Sequence, residues 1–205
     1  MKAVREPSDS ELLQSMLAGD EAALAELYRR LQGGVYRFAL QMSGSSPLAE
    51  DVTQEVFMAL MRDGTTYDSA RGPLNWFLLG IARNLVRQRL RRERFYAAQV
   101  DDSSGRSVVG ELPIANDPLD ELSRTETIEV VRRAVLSLPP RYREVVVLCE
   151  LQELSYAEAA GVLGCAIGTV RSRLHRARAL LIEKMQPARE ENSTSDGVKT
   201  ARCFA

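Results

Sequence analysis

Apolar residues recur along nearly the whole chain at the three- and four-residue spacing of a helix. Runs that alternate apolar and polar are absent, apart from short ambiguous pieces such as Val145 to Leu148. The pattern predicts an all-α protein. Ser8 with Glu11 forms a capping box ahead of Leu12, Leu13, Met16 and Leu17, and Asp20 caps a second helix carrying Leu24, Leu27, Leu31, Val35 and Phe38. Gly44 to Pro47 breaks the spacing before a third helix from Leu48 to Arg62. A loop from Asp63 to Pro73 then leads into a fourth helix from Leu74 to Phe95.

Beyond Phe95 the composition changes. Between Ala97 and Thr127 stand Asp101, Asp102, Glu111, Asp117, Asp120, Glu121 and Glu126 against Arg106 and Arg124, among Gly, Ser and Pro. This stretch reads as a linker as far as Asp117. Helical spacing returns from Pro118 to Leu138, pauses at Pro139 and Pro140, and resumes through Glu150. Two further helices are expected, from Tyr156 to Leu163 and from Ile167 to Met185. The organisation is therefore two small helical domains, residues 8–96 and 118–186, joined by a flexible acidic linker, 97–117. A polar tail, 187–205, is expected to be disordered. A chain of 205 residues suffices for two such domains, each just large enough to bury its own core.

The net charge of −1 hides how the charge is arranged. Only Lys2, Lys184 and Lys199 are lysine, and the arginines concentrate in two blocks, Arg71 to Arg94 and Arg171 to Arg178. A GC-rich genome accounts for an excess of arginine over lysine, but not for clustering. Guanidinium forks fit phosphates and guanine edges, so the blocks point to nucleic acid, with a solvated charged face as the alternative for either one.

Cys149, Cys165 and Cys203 have neither zinc-ligand spacing nor an even count, and the chain holds one histidine. They read as reduced thiols, with Cys149 and Cys165 buried; no metal or cofactor is expected. With no Gly-rich phosphate loop and no paired carboxylates in an apolar setting, an enzyme is disfavoured. No stretch of 18 apolar residues and no basic-then-apolar leader appears, so membrane insertion is not expected and the cytoplasm is the expected location.

On a wheel of about 100° per residue, Leu78, Ile81, Ala82, Leu85 and Val86 share one side of the fourth helix, with Leu79 and Leu90 at its edge. Opposite them lie Trp76, Arg83, Arg87, Arg91 and Arg94, with Asn84 and Gln88 alongside. An aromatic in line with arginines suits single-stranded nucleic acid: the ring stacks on an unpaired base and the cations hold phosphates. The alternative is a tryptophan tucked into a local core under arginine stems. In the third helix Leu48, Val52, Val56, Ala59 and Leu60 turn inward, leaving Asp51, Gln54, Glu55 and Met58 outside. That side is either a solvated face or, given its methionine, a protein interface.

Ser155 to Glu158 is a capping box opening a short helix with Ala159, Ala160 and Leu163 inward. Gly164 supplies a turn, and the next helix should bury Ile167, Val170, Leu174, Ala177 and Leu181. This is helix-turn-helix spacing. The second helix would expose Gly168, Thr169, Arg171, Ser172, His175 and Arg176 where base edges are met, with Arg178 behind them for phosphate. A packing hairpin is the alternative.

Five stretches in this order resemble the extracytoplasmic-function sigma factors, group IV of the primary-sigma-like family, over roughly Ser10 to Met185. They are Ala18 to Ala23 with Leu27-Tyr28, Ala49 to Phe57, Asn75 to Asn84 followed by arginines, Leu138 to Arg143, and Leu163 to Leu174. The resemblance implies a bacterial transcription initiation factor that binds core RNA polymerase, directs it to minus-35 and minus-ten promoter elements, and promotes melting. It implies a region 2 helical bundle whose Asp51, Gln54, Glu55 and Met58 dock on the clamp helices of the largest polymerase subunit. Arg71, Asn75, Trp76, Arg83, Asn84, Arg87 and Arg91 would open and read the minus-ten element, the loop before Trp76 capturing a flipped base. It further implies a region 4 that reads the minus-35 element as duplex through Thr169, Arg171, Ser172, His175, Arg176 and Arg178 and contacts the flap of the second subunit. A cognate anti-sigma factor would be a further partner, and the linker, with Asp101, Asp102 and Glu111, would thread through the polymerase near the template path. Ala166 stands where relatives often have proline or a capping residue, and the tail after Pro187 has no counterpart in the core pattern. Two rival readings are a sigma-mimicking decoy, which need not keep Trp76 and both arginine faces, and a dimeric helix-turn-helix regulator, which leaves the first domain unexplained.

Overall fold

The computed structural model describes residues 6–100 and 120–185. Among these residues eight α-helices follow one another without a strand: α1 Asp9–Leu17, α2 Glu21–Ser43, α3 Ser46–Asp63, α4 Leu74–Val100, α5 Asp120–Leu136, α6 Pro140–Val146, α7 Tyr156–Leu163 and α8 Ile167–Met185. The all-α expectation holds, and most helix ends have a local cause. The Ser8 hydroxyl accepts the Glu11 N–H at 3.3 Å while the Glu11 carboxylate accepts the Ser8 N–H at 2.7 Å, which closes the capping box on α1. Asp20 accepts the N–H groups of Ala22 and Ala23 at the start of α2, and Ser45 accepts the Leu48 N–H ahead of Pro47 in the first turn of α3.

Four details correct or settle expectation. α4 continues past Phe95 to Val100, so the boundary at residue 97 falls inside a helix. The ambiguous Val145 to Leu148 piece is helical, formed by the end of α6 and a π turn over Val147–Leu151, and all of it is buried. Ile167 is 43% exposed, because the first residue of α8 precedes the turn that packs; Val170, Leu174 and Ala177 carry the burial and Leu181 is half-buried. Cys149 and Cys165 are half-buried rather than fully so, and burial, with Glu150 nearby, pushes the Cys149 thiol above its usual range. Cys203, the tail and the acidic residues Asp101, Asp102 and Glu111 lie outside the described residues.

The buried side chains form one continuous cluster, from Leu12 and Leu13 on α1 to Leu174 and Ala177 on α8. Leu27, Val35 and Phe38 of α2 meet Val52, Val56 and Leu60 of α3 and Leu78, Ala82 and Val86 of α4, each at 0% exposure. The second half adds Val145, Leu148, Val170 and Leu174. What joins the halves is polar as well as apolar. Arg143 on α6 is 8% exposed, and its guanidinium donates to the carbonyl of Met42 at 2.5 Å, to that of Leu138 at 3.2 Å and to that of Leu136. Met42 and Leu136 lie in the last turns of α2 and α5, where carbonyls lack intrahelical partners and carry the negative end of the helix dipole. One cation therefore neutralises two helix ends from different parts of the chain. Beside it, α2 closes at Gly44 with φ +74°, and a Cβ there would stand 2.8 Å from Leu136 Cδ1. Glycine is needed at this position for both the backbone and the fit. Nearby, the Gln152 amide donates to Gln41 Oε1 at 2.9 Å.

Candidate nucleic-acid interface

Two short 3₁₀ turns, Gly64–Thr66 and Ser69–Arg71, lead from α3 to α4. The Tyr67 hydroxyl donates to the Gly72 carbonyl at 3.0 Å, and Gly72 adopts φ +138°. A Cβ on Gly72 would lie 2.2 Å from Trp76 Cε3, so the indole packs directly on bare backbone. Tyr67, Arg71, Gly72, Trp76, Arg83 and Asn84 are among the residues that line a cavity of about 390 Å³. Arg71, Asn84 and Arg91 are exposed, while Asn75, Trp76, Arg83 and Arg87 are half-buried. Asn75 faces α2, where a Cβ on Gly34 would stand 3.6 Å from its Oδ1.

The cationic side of α4 is not open to solvent along its length. Arg83 Nε lies 3.2 Å from Glu144 Oε1, and its Nη2 donates to Glu144 Oε2 at 3.2 Å. Arg87 Nε is 3.6 Å from the same carboxylate. Glu144 sits on α6 with its side chain 3% exposed. Trp76, for its part, has Gly161 of α7 as a neighbour: a Cβ there would be 3.7 Å from the indole. Trp76 thus borders a cavity that Arg71 and Arg83 also line and is at the same time covered by another helix. Nothing in the helical wheel of α4 signals Glu144. A clue lies in α6 itself, where a carboxylate heads the apolar run Val145 to Leu148 and, once buried, needs a cation.

On α3, Asp51, Gln54 and Met58 are exposed and Glu55 is partly so. Met61, one turn beyond, is exposed as well and extends the face. Arg89 of α4 reaches this face, donating to Glu55 Oε2 at 2.9 Å and standing 4.0 Å from Asp51. Arg89 was not among the expected site residues. It follows Leu85 by four residues, so it continues the inward side of α4 past the end of the core.

The second cationic surface is built differently. The Ser155 hydroxyl accepts the Glu158 N–H at 3.3 Å and the Glu158 carboxylate accepts the Ser155 N–H at 2.6 Å, which closes the capping box; the Ser155 hydroxyl and N–H beside the Glu158 carboxyl hold its pKa below the usual carboxylate range. α7 is closed by Gly164 with φ +62°, and α8 begins at Ile167, just after Ala166, whose carbonyl accepts the N–H groups of Thr169 and Val170. The Ala166 side chain can supply no cap. Arg171, Ser172, His175 and Arg176 are all exposed along one side of α8, while Thr169 is half-buried and accepts the Ser172 hydroxyl through its carbonyl at 3.1 Å. The Arg171 guanidinium lies 5.8 Å from the Tyr156 ring centre. Arg178 pairs with Glu150 at 2.5 Å yet remains 56% exposed. No group of three His, Cys, Asp or Glu able to hold a metal forms among the described residues.

Comparison with known proteins matches both surfaces to one family. Residues 27–96 match the Sigma-70 region 2 family and residues 128–181 match Sigma-70, region 4. The ECF RNA polymerase sigma factor SigE of Mycolicibacterium smegmatis is 33% identical over 93% of this chain and 74% of its own length. SigM of Mycobacterium tuberculosis is 34% identical over 86% and 84%, and SigW of Bacillus subtilis 28% identical over 85% and 95%. Among solved structures, the sigma factor RpoE in complex with the anti-sigma factor NepR from Bartonella quintana is 27% identical, with TM-score 0.63 over 80% of this chain and 98% of that one. CnrH in complex with the cytosolic domain of CnrY is 26% identical, with TM-score 0.61 over 86% and 96%. With the two matched regions carrying the two cationic helices, and with relatives at this identity along nearly the full length, the chain belongs to the ECF RNA polymerase sigma factors.

Proposed function

We propose that the two cationic helices divide the work of promoter recognition, with α8 reading the minus-35 element as duplex and α4 with its preceding loop capturing the minus-ten element as single strand. As a sigma factor the chain binds core RNA polymerase and directs it to promoters; the assignment of residues is what we add. Arg171, Ser172, His175 and Arg176 would meet base edges, with Thr169 and Arg178 at the backbone. Trp76, in the cavity it shares with Arg71, Arg83 and Asn84, would stack on an unpaired base, while Asn75, Arg87 and Arg91 hold the strand. Asp51, Gln54, Glu55 and Met58 would dock on the clamp helices of the polymerase, and the second region on its flap. Residues 8–96 and 118–186 act as two modules on one duplex. Each holds DNA weakly alone, and polymerase fixes both so that the contacts add.

The observation that supports this reading best is the exposed row Arg171, Ser172, His175 and Arg176 on the second helix of a helix-turn-helix, a place where packing asks for nothing polar. The work is binding rather than catalysis, and its place is the cytoplasm, with polymerase and DNA. Because RpoE of Bartonella quintana was solved with an anti-sigma factor, we read a cognate anti-sigma factor as a partner here too. Run-off transcription with purified core polymerase tests the function: a discrete product should need this chain. Promoter affinity of the complex should fall by about 0.9 log unit per log salt for each phosphate neutralised. Absence of a chain-dependent product, or a flat salt response, would remove the basis for both arginine assignments.

A further inference from the structure

The reading helix α8 draws on α7 for more than packing. Tyr156 is the first residue of α7, directly after the Ser155 cap, and it is half-buried against the core. The capping box that encloses it fixes its backbone, so its ring has a set place beside α8. The Arg171 guanidinium stands over that ring, 5.8 Å from its centre, although Arg171 as a whole is exposed. Arg178, seven residues on and therefore on the same line of α8, donates through Nε and Nη2 to Glu150 Oε1 at 3.2 and 2.5 Å. Glu150, and after it Tyr156, keep the Arg178 guanidinium above the usual arginine range. Tyr156 thus borders two of the arginines given to DNA, one for base edges and one for phosphate.

An exposed arginine samples many rotamers, and ordering it at a base edge consumes part of what the new hydrogen bonds return. A cation held over an aromatic face has lost part of that freedom in advance. A carboxylate in the same place would take up the N–H donors that guanine O6 and N7 need, whereas an aromatic face attracts the cation and leaves most of them free. We infer that Tyr156 is a positioning residue for base readout, holding Arg171 from the preceding helix in the orientation that meets a base edge, without touching that base itself. The inference rests on the assignment of Arg171 to the minus-35 element.

The test assembles the full-length chain with core polymerase on the promoter that gives the run-off product, its minus-35 element randomised, and sequences bound and free duplexes. Arg171→Ala marks the position that Arg171 reads, by flattening the preference there. Tyr156→Leu keeps apolar bulk and removes the aromatic face. It should reduce the preference at that same position by about two- to fivefold, the size of a cation–π contact at an exposed site, and leave neighbouring positions unchanged. Tyr156→Phe keeps the ring and should keep the preference, and Tyr156→Gln replaces the leucine variant if that one does not fold. In the free chain, the ring-current shift of the Arg171 side-chain protons reads the contact directly. It should be present in the wild type and in Tyr156→Phe and absent from Tyr156→Leu. The positioning role is overturned if Tyr156→Leu keeps the wild-type preference, if it loses preference evenly across the element as a packing residue would, or if Tyr156→Phe loses as much. A run-off product with no change in the leucine variant removes the positioning role and leaves the function. Absence of a product, or an Arg171→Ala variant that prefers the same bases as the wild type, removes the assignment of Arg171 and the positioning role with it; the ring-current shift then reports a packing contact.

Discussion

The two arginine-bearing helices α4 and α8 are close to each other in composition and far apart in setting. On α8 the polar residues follow the simple rule of an amphipathic helix: Val170, Leu174 and Ala177 go inward, and Arg171, Ser172, His175 and Arg176 stay in water. On α4 the arginines point three ways. Arg83 and Arg87 go to Glu144, Arg89 goes to Glu55 and Asp51, and Arg91 is exposed. The difference teaches that a cationic stripe in sequence fixes where charge can be presented but not whether it is free. Availability depends on what the rest of the chain brings opposite.

Arg143 offers the largest way to break the comparison, because it holds the cover on α4 and has no part in α8's exposed row. Replacing it by alanine strands carbonyls at two helix ends, each costing about 1–3 kcal/mol when buried without a partner. Arg143→Ala should lower unfolding stability by about 3 kcal/mol, read as a shift in urea midpoint. A midpoint unchanged within error would show that the two halves are held together by their apolar contacts alone. Next in size is Arg176→Ala on the open helix. It should weaken discrimination of the minus-35 element by about 1–3 kcal/mol, read as polymerase-complex affinity for matched against substituted promoters, while Trp76 quenching in the free chain stays as it was. A uniform loss across all sequences would reassign Arg176 from base to phosphate.

A pair of glycine changes sharpens the contrast further. At Gly72→Ala the new methyl would meet the indole of Trp76 at 2.2 Å on backbone with φ +138°. The substitution should cost about 2 kcal/mol and shift the tryptophan emission. At Gly168→Ala, near the start of α8, nothing lies within 4 Å. The gain in helix propensity there should be at most about 0.5–1 kcal/mol, and any loss would appear only with DNA present. Thermal melts of both variants with and without promoter duplex separate the cases.

What could be read from the sequence follows the same division. The α7 and α8 bounds match their expected ends because capping box, Gly164 and apolar spacing are local signals. The exposed row on α8 was legible for the same reason, since a helix at the surface puts its polar side in water. The partners of α4 were not. Glu144 meets Arg83 from 61 residues away, and Arg143 reaches Met42 across 101. No periodicity within one helix carries that information. Ile167 misled because spacing alone assigned the first residue of α8 to the core, although the helix had not yet reached its packing partner. The contacts that join the two halves into one cluster were not legible for a related reason: each half patterns as amphipathic on its own, and nothing in that pattern signals a guanidinium on carbonyls or a glycine under Leu136.

The mildest separation concerns Glu158, and it acts on an element that borders both surfaces. α7 carries Gly161 beside Trp76 and leads through Gly164 into α8, and its first turn depends on the Ser155–Glu158 box. Hydrogen bonds from the Ser155 hydroxyl and then from its N–H favour the ionised carboxylate, so the folded pKa lies below the usual 4.5. A lowered folded pKa contributes stability that is complete above the unfolded value and is lost as pH falls through the folded one. Acidification below 4.5 should therefore speed amide exchange in the first turn of α7 before the last turns of α8 respond. Ser155→Ala should remove that step and cost about 1 kcal/mol at neutral pH through loss of the cap. If α8 loosens at the same pH as α7, the helix-turn-helix opens as one unit, and the cover on α4 and the reading face of α8 are not independent. If α7 loosens first, Trp76 quenching should rise while duplex binding by α8 persists, which is the separation between the two helices in its mildest form.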